Sequence, residues 1–276
     1  MDNQIVTIYV IVSDYLQMMH HYEDSQRQMS DAEVMTTAIV SALFFSGRFE
    51  HGRRLLNDRR YIPNMLSKSR FNRRLHQVKD HFLTLINLLG EYWKQENEDQ
   101  IYLIDTFPIA ACDNWRIKRC KLYQEKANHG FISSKRRYFH GVKLHLMVTK
   151  AGQPVECFLT PGSCSDVAYL DAFDFDLPEG AQVYADKIYN DYLLEDILRM
   201  AGIDFMPIRK KNSKRKQPPW IDFWVKAHRK MVETVGSLIE RLRPKSIHAV
   251  TATGFELKVI LFVLAHSFNS FFKVAT

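Results

Sequence analysis

Cysteine is scarce: the 276 residues hold four, Cys112, Cys120, Cys157 and Cys164. Two bridges at most would not staple a chain of this length, so a disulfide scaffold is excluded. Their spacings are also wider than the roughly two to four residues of a zinc knuckle. Cys112 and Cys120 with a neighbouring histidine form the one zinc candidate, and reduced thiols are the simpler reading. Glycine (11) and proline (9) are few, which excludes collagen-like, low-complexity and mucin-like chains. No run of about 18 uncharged apolar residues occurs, so no membrane-spanning helix is expected. The apolar stretch Ile5 to Val12 has no basic region before it and no small-residue cleavage site after it. No signal peptide is read there.

What is present describes a folded protein. Hydrophobic residues make up 46%, aromatics 12% and charged residues 25%, enough apolar surface to offset the entropy of ordering. The length suits one large domain or two modest ones. Lys plus Arg number 38 against 31 Asp plus Glu, a net charge of +7. That surplus favours a polyanionic partner, nucleic acid or an anionic membrane surface.

The first hundred residues read as helical. Ile5, Ile8, Tyr9, Val12 and Leu16 recur at helical spacing. Ser30 and Glu33 form a capping box that opens a helix running to about Gly47. Ser67 or Ser69 caps a short helix carrying Phe71 and Leu75, and a longer one follows through Trp93. The polar stretch Gln95 to Gln100 marks a boundary, giving a region 1–100 and a region 101–276. Beyond it the periodicity changes. Tyr102 to Ile104 reads as a buried strand ending in Asp105. Gly141 to Thr149 and Val155 to Thr160 form a hairpin around the turn residues 151–154. Ser165 to Phe175 reads as a helix. Gln182 to Ala185 is a strand ending in Asp186, Tyr192 to Ala201 a helix closed by Gly202, and Asp204 to Ile208 another strand. Helices over 221–243 and 255–272 finish the chain. Strands mixed with helices predict an α/β layer fold.

Two buried strands that each deliver an aspartate to the same sheet edge point to a site, since open α/β sheets bind ligands beyond their strand ends. Close carboxylates repel unless a cation sits between them. A hard divalent ion such as Mg²⁺ prefers such oxygen ligands. Glu233 flanks the apolar stripe of helix 221–243 and supplies a third acid. Gly236, one turn on, allows that helix a close approach. Arg229 lies four residues before Glu233 on the same face, where a plain ion pair is the alternative. Glu240 is a rival third ligand.

Positive charge is clustered. Residues 51–80 hold nine Lys and Arg against Asp58 and Asp80. Within them Arg70, Asn72, Arg73 and Arg74 share a short helix that Phe71 and Leu75 would dock, like a recognition helix in a helix-turn-helix-like segment around 53–80. A helix touching only phosphates is the alternative. Residues 115–143 hold nine more, including Arg119, Lys121, Arg136 and Arg137, against Glu125. Arg209, Lys210 and Lys211 open a third run beyond a strand end. Asp166 is read as a helix cap. His145 is read as structural or DNA-facing rather than a ligand. Tyr123, Tyr138 and Trp220 lie among basic residues and are candidates to stack on bases.

Several runs resemble a known family in order along the chain. They are Ile104-Asp105-Thr106-Phe107-Pro108, Tyr138-Phe139-His140-Gly141-Val142-Lys143, Pro161-Gly162-Ser163-Cys164-Ser165-Asp166, Tyr184-Ala185-Asp186-Lys187 and Pro207-Ile208-Arg209-Lys210-Lys211-Asn212. Together they resemble bacterial insertion-sequence transposases of the DDE type, of insertion-sequence family nine-eight-two. The resemblance implies an RNase H-like mixed five-stranded sheet flanked by helices, after an N-terminal all-helical DNA-binding region. It implies Asp105, Asp186 and Glu233 as the catalytic, metal-holding acids, with two Mg²⁺ ions that Mn²⁺ can replace. Arg229 fits the family pattern around the third acid and is counted with the DNA-contacting residues. Lys226 and Glu240 stand where related transposases carry Tyr and Lys. The expected activity is metal-dependent DNA cleavage and 3′-hydroxyl strand transfer, in a cytoplasmic, nucleoid-associated bacterial protein acting as a homodimer on terminal inverted repeats and target DNA, with no membrane partner. A nuclease that never joins strands and an inactive DNA-binding relic are the alternatives.

Overall fold

The computed structural model describes residues 1–132 and 135–274. It divides into two compact units: residues 1–88 with 238–249 and 253–276, and residues 89–237 with 250–252. The boundary read from the sequence at 100/101 differs from this. The last helix groups with the N-terminal helices, because its apolar residues complete their core.

The first unit is helical. α1 (Asp2–Met18) buries Ile5, Ile8, Val12, Tyr15 and Leu16. α2 (Asp31–Phe45) begins at the expected capping box: Ser30 Oγ accepts from the Glu33 amide at 3.1 Å, and Glu33 accepts from the Ser30 amide at 2.7 Å. α2 is buried nearly all round, including Thr36, Thr37 and Ser41, so it is the centre of this unit. α3 (Phe49–Asp58), α4 (Lys68–Gln77) and the start of α5 (Lys79–Gln95) follow. α3 has no counterpart in the sequence reading, because Arg, His and Asn outnumber its apolar positions and mask the period. α8 (Ala252–Val274) buries Phe255, Phe262, Val263, Leu264 and Phe268. Its stretch Ala252–Lys273 is long and apolar enough to cross a bilayer, contrary to the sequence expectation, yet 61% of its most apolar window is buried inside the protein. That is the burial of a core helix.

The second unit is built on a six-stranded mixed sheet. β1 (Ile101–Asp113) is central. On one side it pairs antiparallel with β3 (Arg137–Thr149), and β3 pairs antiparallel with β4 (Pro154–Pro161). On the other side it pairs parallel with β5 (Gln182–Ala185), and β5 with β6 (Asp204–Pro207). This is the RNase H-like layout, with one strand more than the five expected. The extra strand is β2 (His129–Ile132), four residues paired with the beginning of β3. Its alternation is too short to read in a basic segment. Gly152 turns the β3–β4 hairpin at φ +90°, a conformation open to glycine. The segment after β4 is a 3-10 turn, Val167–Ala172, rather than the helix expected over 165–175. α6 (Tyr192–Met200) connects β5 to β6, and α7 (Pro219–Leu242) follows β6.

Candidate active site

β1 continues eight residues past Asp105, so Asp105 does not end the strand as its sequence suggested. What ends there is the pairing with β5. The parallel ladder stops at Leu103 opposite Tyr184. Asp105 and Asp186 each follow two residues later, where the strands part and leave a cleft. β1 runs on because β3 supplies partners as far as Asp113. Pro108 costs no bond to β5 there, since β5 has already diverged.

Backbone amides fix both carboxylates. The Thr106 amide donates to Asp105 Oδ1 at 2.9 Å. The Lys187 amide donates to Asp186 Oδ1 at 2.7 Å, capping the 3-10 turn Lys187–Tyr189. Behind Asp105, on the opposite face of β1, Thr106 Oγ1 contacts Tyr189 OH at 2.6 Å and His145 Nδ1 at 3.0 Å. His145 Nε2 contacts Thr160 Oγ1 at 2.9 Å. His145 is fully buried and stacked on Phe158. Burial pushes its pKa down to about 4, so the ring is neutral and bridges two hydroxyls. It is structural, one of the two roles expected for it.

α7 brings the third acid. Val225, Val232, Val235 and Ile239 form its buried stripe. Trp224, on the same helix, is 53% exposed. Gly236 faces the Phe107 ring, and Phe107 shares a face of β1 with Asp105. This contact aligns α7 so that Arg229 and Glu233 reach the cleft. The Arg229 guanidinium lies 3.3 Å from Asp105 Oδ2, 3.5 Å from Asp186 Oδ1 and 3.8 Å from Glu233 Oε1. Three acids from three elements thus share one cation. Burial raises the Asp105 pKa to about 6; Arg229 and the Thr106 amide pull it down, while Asp186 and Glu233 push it up. Glu240, the rival third acid, is an exposed partner of Arg243 at 2.7 Å.

A family model described as "Transposase DDE domain" matches residues 95–247, more than half of the chain. The chain belongs to the DDE transposase domain family. That family consists of nucleic-acid-processing enzymes, and membership implies use of divalent metal. No curated protein matches the chain. A solved structure, the cryo-EM structure of piggyBac transposase synaptic complex with hairpin DNA, aligns at 9% identity with a TM-score of 0.49, covering 98% of this chain and 73% of that one.

The donor set of this acid cluster fits hard divalent ions. Asp105, Asp186 and Glu233 offer oxygen alone, and three carboxylates against one guanidinium leave a negative excess. Their oxygens do not form one close group: among the described residues, the set of three or more His, Cys, Asp or Glu donors all within 4.8 Å of one another is His21, Glu23 and Asp31. In that group the carboxylates are already neutralised. Asp31 pairs with Arg74 and His21, and Glu23 pairs with Arg27. All four cysteines are free thiols.

The basic residues divide into exposed and internally paired. Arg70, Asn72 and Arg73 project from α4 into solvent while Phe71 and Leu75 are buried beneath. Arg74, on the same helix, turns inward onto Asp31. Arg119, Lys121, Arg136 and Arg137 are exposed, and Arg137 lies 3.3 Å from Asp113. Lys210 and Lys211 are exposed, but Arg209 forks onto the buried Glu195. Arg74, Arg209 and Arg229 are therefore ion-pair partners within the fold; apart from the Arg229–Glu233 pair, which the sequence spacing offered, runs of basic residues do not reveal this role because the acids lie far along the chain. Asp166 makes no cap hydrogen bond; its carboxylate pairs with Lys143 at 2.8 Å. Tyr138 and Trp220 are exposed, whereas Tyr123 is half-buried with its hydroxyl 3.4 Å from the Ala252 carbonyl.

Proposed function

We propose that this chain is an insertion-sequence transposase that cuts DNA at element ends and joins the freed 3′-hydroxyl to target DNA. The observation that carries this is the meeting of Asp105, Asp186 and Glu233 around Arg229 in a domain of the DDE family. In this reading those three side chains hold two Mg²⁺ ions, which Mn²⁺ can replace. When bound, such a pair activates the attacking oxygen and stabilises the departing one in an in-line displacement. The amides of Thr106 and Lys187 each hold one oxygen of an aspartate in place before metal or DNA arrives. The exposed Glu233, on a helix rather than a strand, completes the set. No side chain need act as nucleophile or general base.

DNA is the partner, held through its phosphates by exposed basic residues of α4 (Arg70, Arg73), of the segment 116–137 and of the loop beyond β6 (Lys210, Lys211). Asn72 adds a candidate contact to an adenine edge. Residues 1–100 act as the DNA-binding region in this reading, and the motifs of the chain resemble those of the bacterial nine-eight-two insertion sequences. Two terminal inverted repeats held together call for a homodimer. The test is incubation of the full chain with end-sequence DNA, a target plasmid and Mn²⁺. Joined product supports transposition. Cleavage without joining would reassign the chain as a nuclease, and binding without cleavage as an inactive relic.

A further inference from the structure

We infer that Arg229 is a built-in counter-cation: its guanidinium sits where the acids would hold metal, and divalent ions must displace it. The inference rests on the proposed function, since it takes Asp105, Asp186 and Glu233 as the metal seat. Three observations lead to it. The guanidinium touches all three acids at 3.3, 3.5 and 3.8 Å. These contacts are long: charge-assisted N–H to carboxylate bonds run about 2.7–2.9 Å. Arg209, elsewhere in the same unit, reaches Glu195 Oε2 at 2.9 Å with its second arm closer still. Finally, the three acids are spread around the guanidinium rather than gathered within 4.8 Å of one another.

The physical logic is one of neutralisation without commitment. Three carboxylates facing one cleft would repel one another in a protein folded without metal. One guanidinium holds them at moderate cost, and its loose grip is what makes it replaceable. Arg229 is one helical turn from Glu233, so its side chain can swing away with no change in the backbone of α7. Arginine docking and metal binding are mutually exclusive, so each weakens the other by the same factor. Arg229 is in this sense a positioning residue, acting on the acids rather than on DNA.

The test is calorimetric titration of the full chain with Mn²⁺ alone, in the absence of DNA. Wild type is compared with Arg229→Gln, Arg229→Lys and Asp105→Asn, and each is also melted in EDTA. Arg229→Gln is expected to bind Mn²⁺ about tenfold more tightly, to melt lower in EDTA, and to gain more from added Mn²⁺. Arg229→Lys keeps the charge but cannot fork to three acids, so its affinity is expected between the two. Equal or weaker Mn²⁺ binding by Arg229→Gln would overturn the inference and leave the proposed function standing. Lysine at wild-type affinity would also overturn it, because charge alone would then suffice. That comparison holds even if Arg229→Gln does not fold. Unchanged Mn²⁺ binding by Asp105→Asn would remove the acid site as the metal seat, and the proposed function with it.

Discussion

Gly236 on α7 faces the Phe107 ring on β1: a Cβ placed on Gly236 would lie 2.2 Å from Phe107 Cε1. A real side chain there must displace the Phe107 ring or push the helix off the strand. Since Arg229 and Glu233 ride on that helix, the packing contact and the acid cluster are mechanically linked. Gly236→Ala is expected to destabilise the protein by about 1–3 kcal/mol through overpacking. It is also expected to lower cleavage beyond what its lost stability explains. Thermal melting beside a cleavage assay at a temperature where both proteins are folded checks this. Wild-type melting with wild-type cleavage would show that α7 does not rest on Phe107.

Glu195 is 2% exposed and faces Arg209 and Arg215. Removing one partner of a buried pair strands the other's charge. Glu195→Ala is expected to cost about 3–5 kcal/mol, measurable by urea denaturation. Arg209→Ala should destabilise as well, rather than simply weaken DNA binding.

Titration of His145 gives a pH dependence. Its pKa is about 4 in the folded protein and about 6.5 in an unfolded chain. Between those values the unfolded chain holds a proton that the folded one does not. Stability is therefore complete above about pH 6.5 and falls as pH drops towards 4, by about 1–3 kcal/mol from this group. His145→Asn removes the titration. Its denaturation midpoint should vary less with pH over that interval, though the variant starts less stable at neutral pH. A slope unchanged from wild type would assign the acid sensitivity to another group.

Exposed and paired arginines on α4 should behave differently. Each phosphate contact contributes a slope of about −0.9 to log affinity against log salt. Arg70→Ala with Arg73→Ala is expected to weaken DNA binding and flatten that slope by about 2, leaving melting unchanged. Arg74→Ala should instead lower the melting temperature, because it leaves the buried Asp31 short of a partner. Fluorescence anisotropy across a salt series separates the two.

Much of this was readable from local pattern. Ser30 and Glu33 announced α2, the apolar runs before Asp105 and Asp186 announced β1 and β5, and Gly236 announced a close approach. All are short-range signals, set by neighbours within a turn or a strand. The sequence did not show where β1 stops, because strand length depends on what β3 offers opposite. It did not show β2, whose four residues carry too little alternation. Nor did it show that Arg74, Arg209 and Arg229 are held by acids 43, 14 and 124 residues away. A run of basic residues looks the same whether its members face solvent or a buried carboxylate.

Strand cleavage by Asp105→Asn beside wild type, on end-sequence DNA with Mn²⁺, tests the central claim most directly. The account predicts retained DNA binding with cleavage reduced at least about a thousandfold, since losing a metal ligand forfeits several kcal/mol of transition-state stabilisation. Cleavage at the wild-type rate would contradict it.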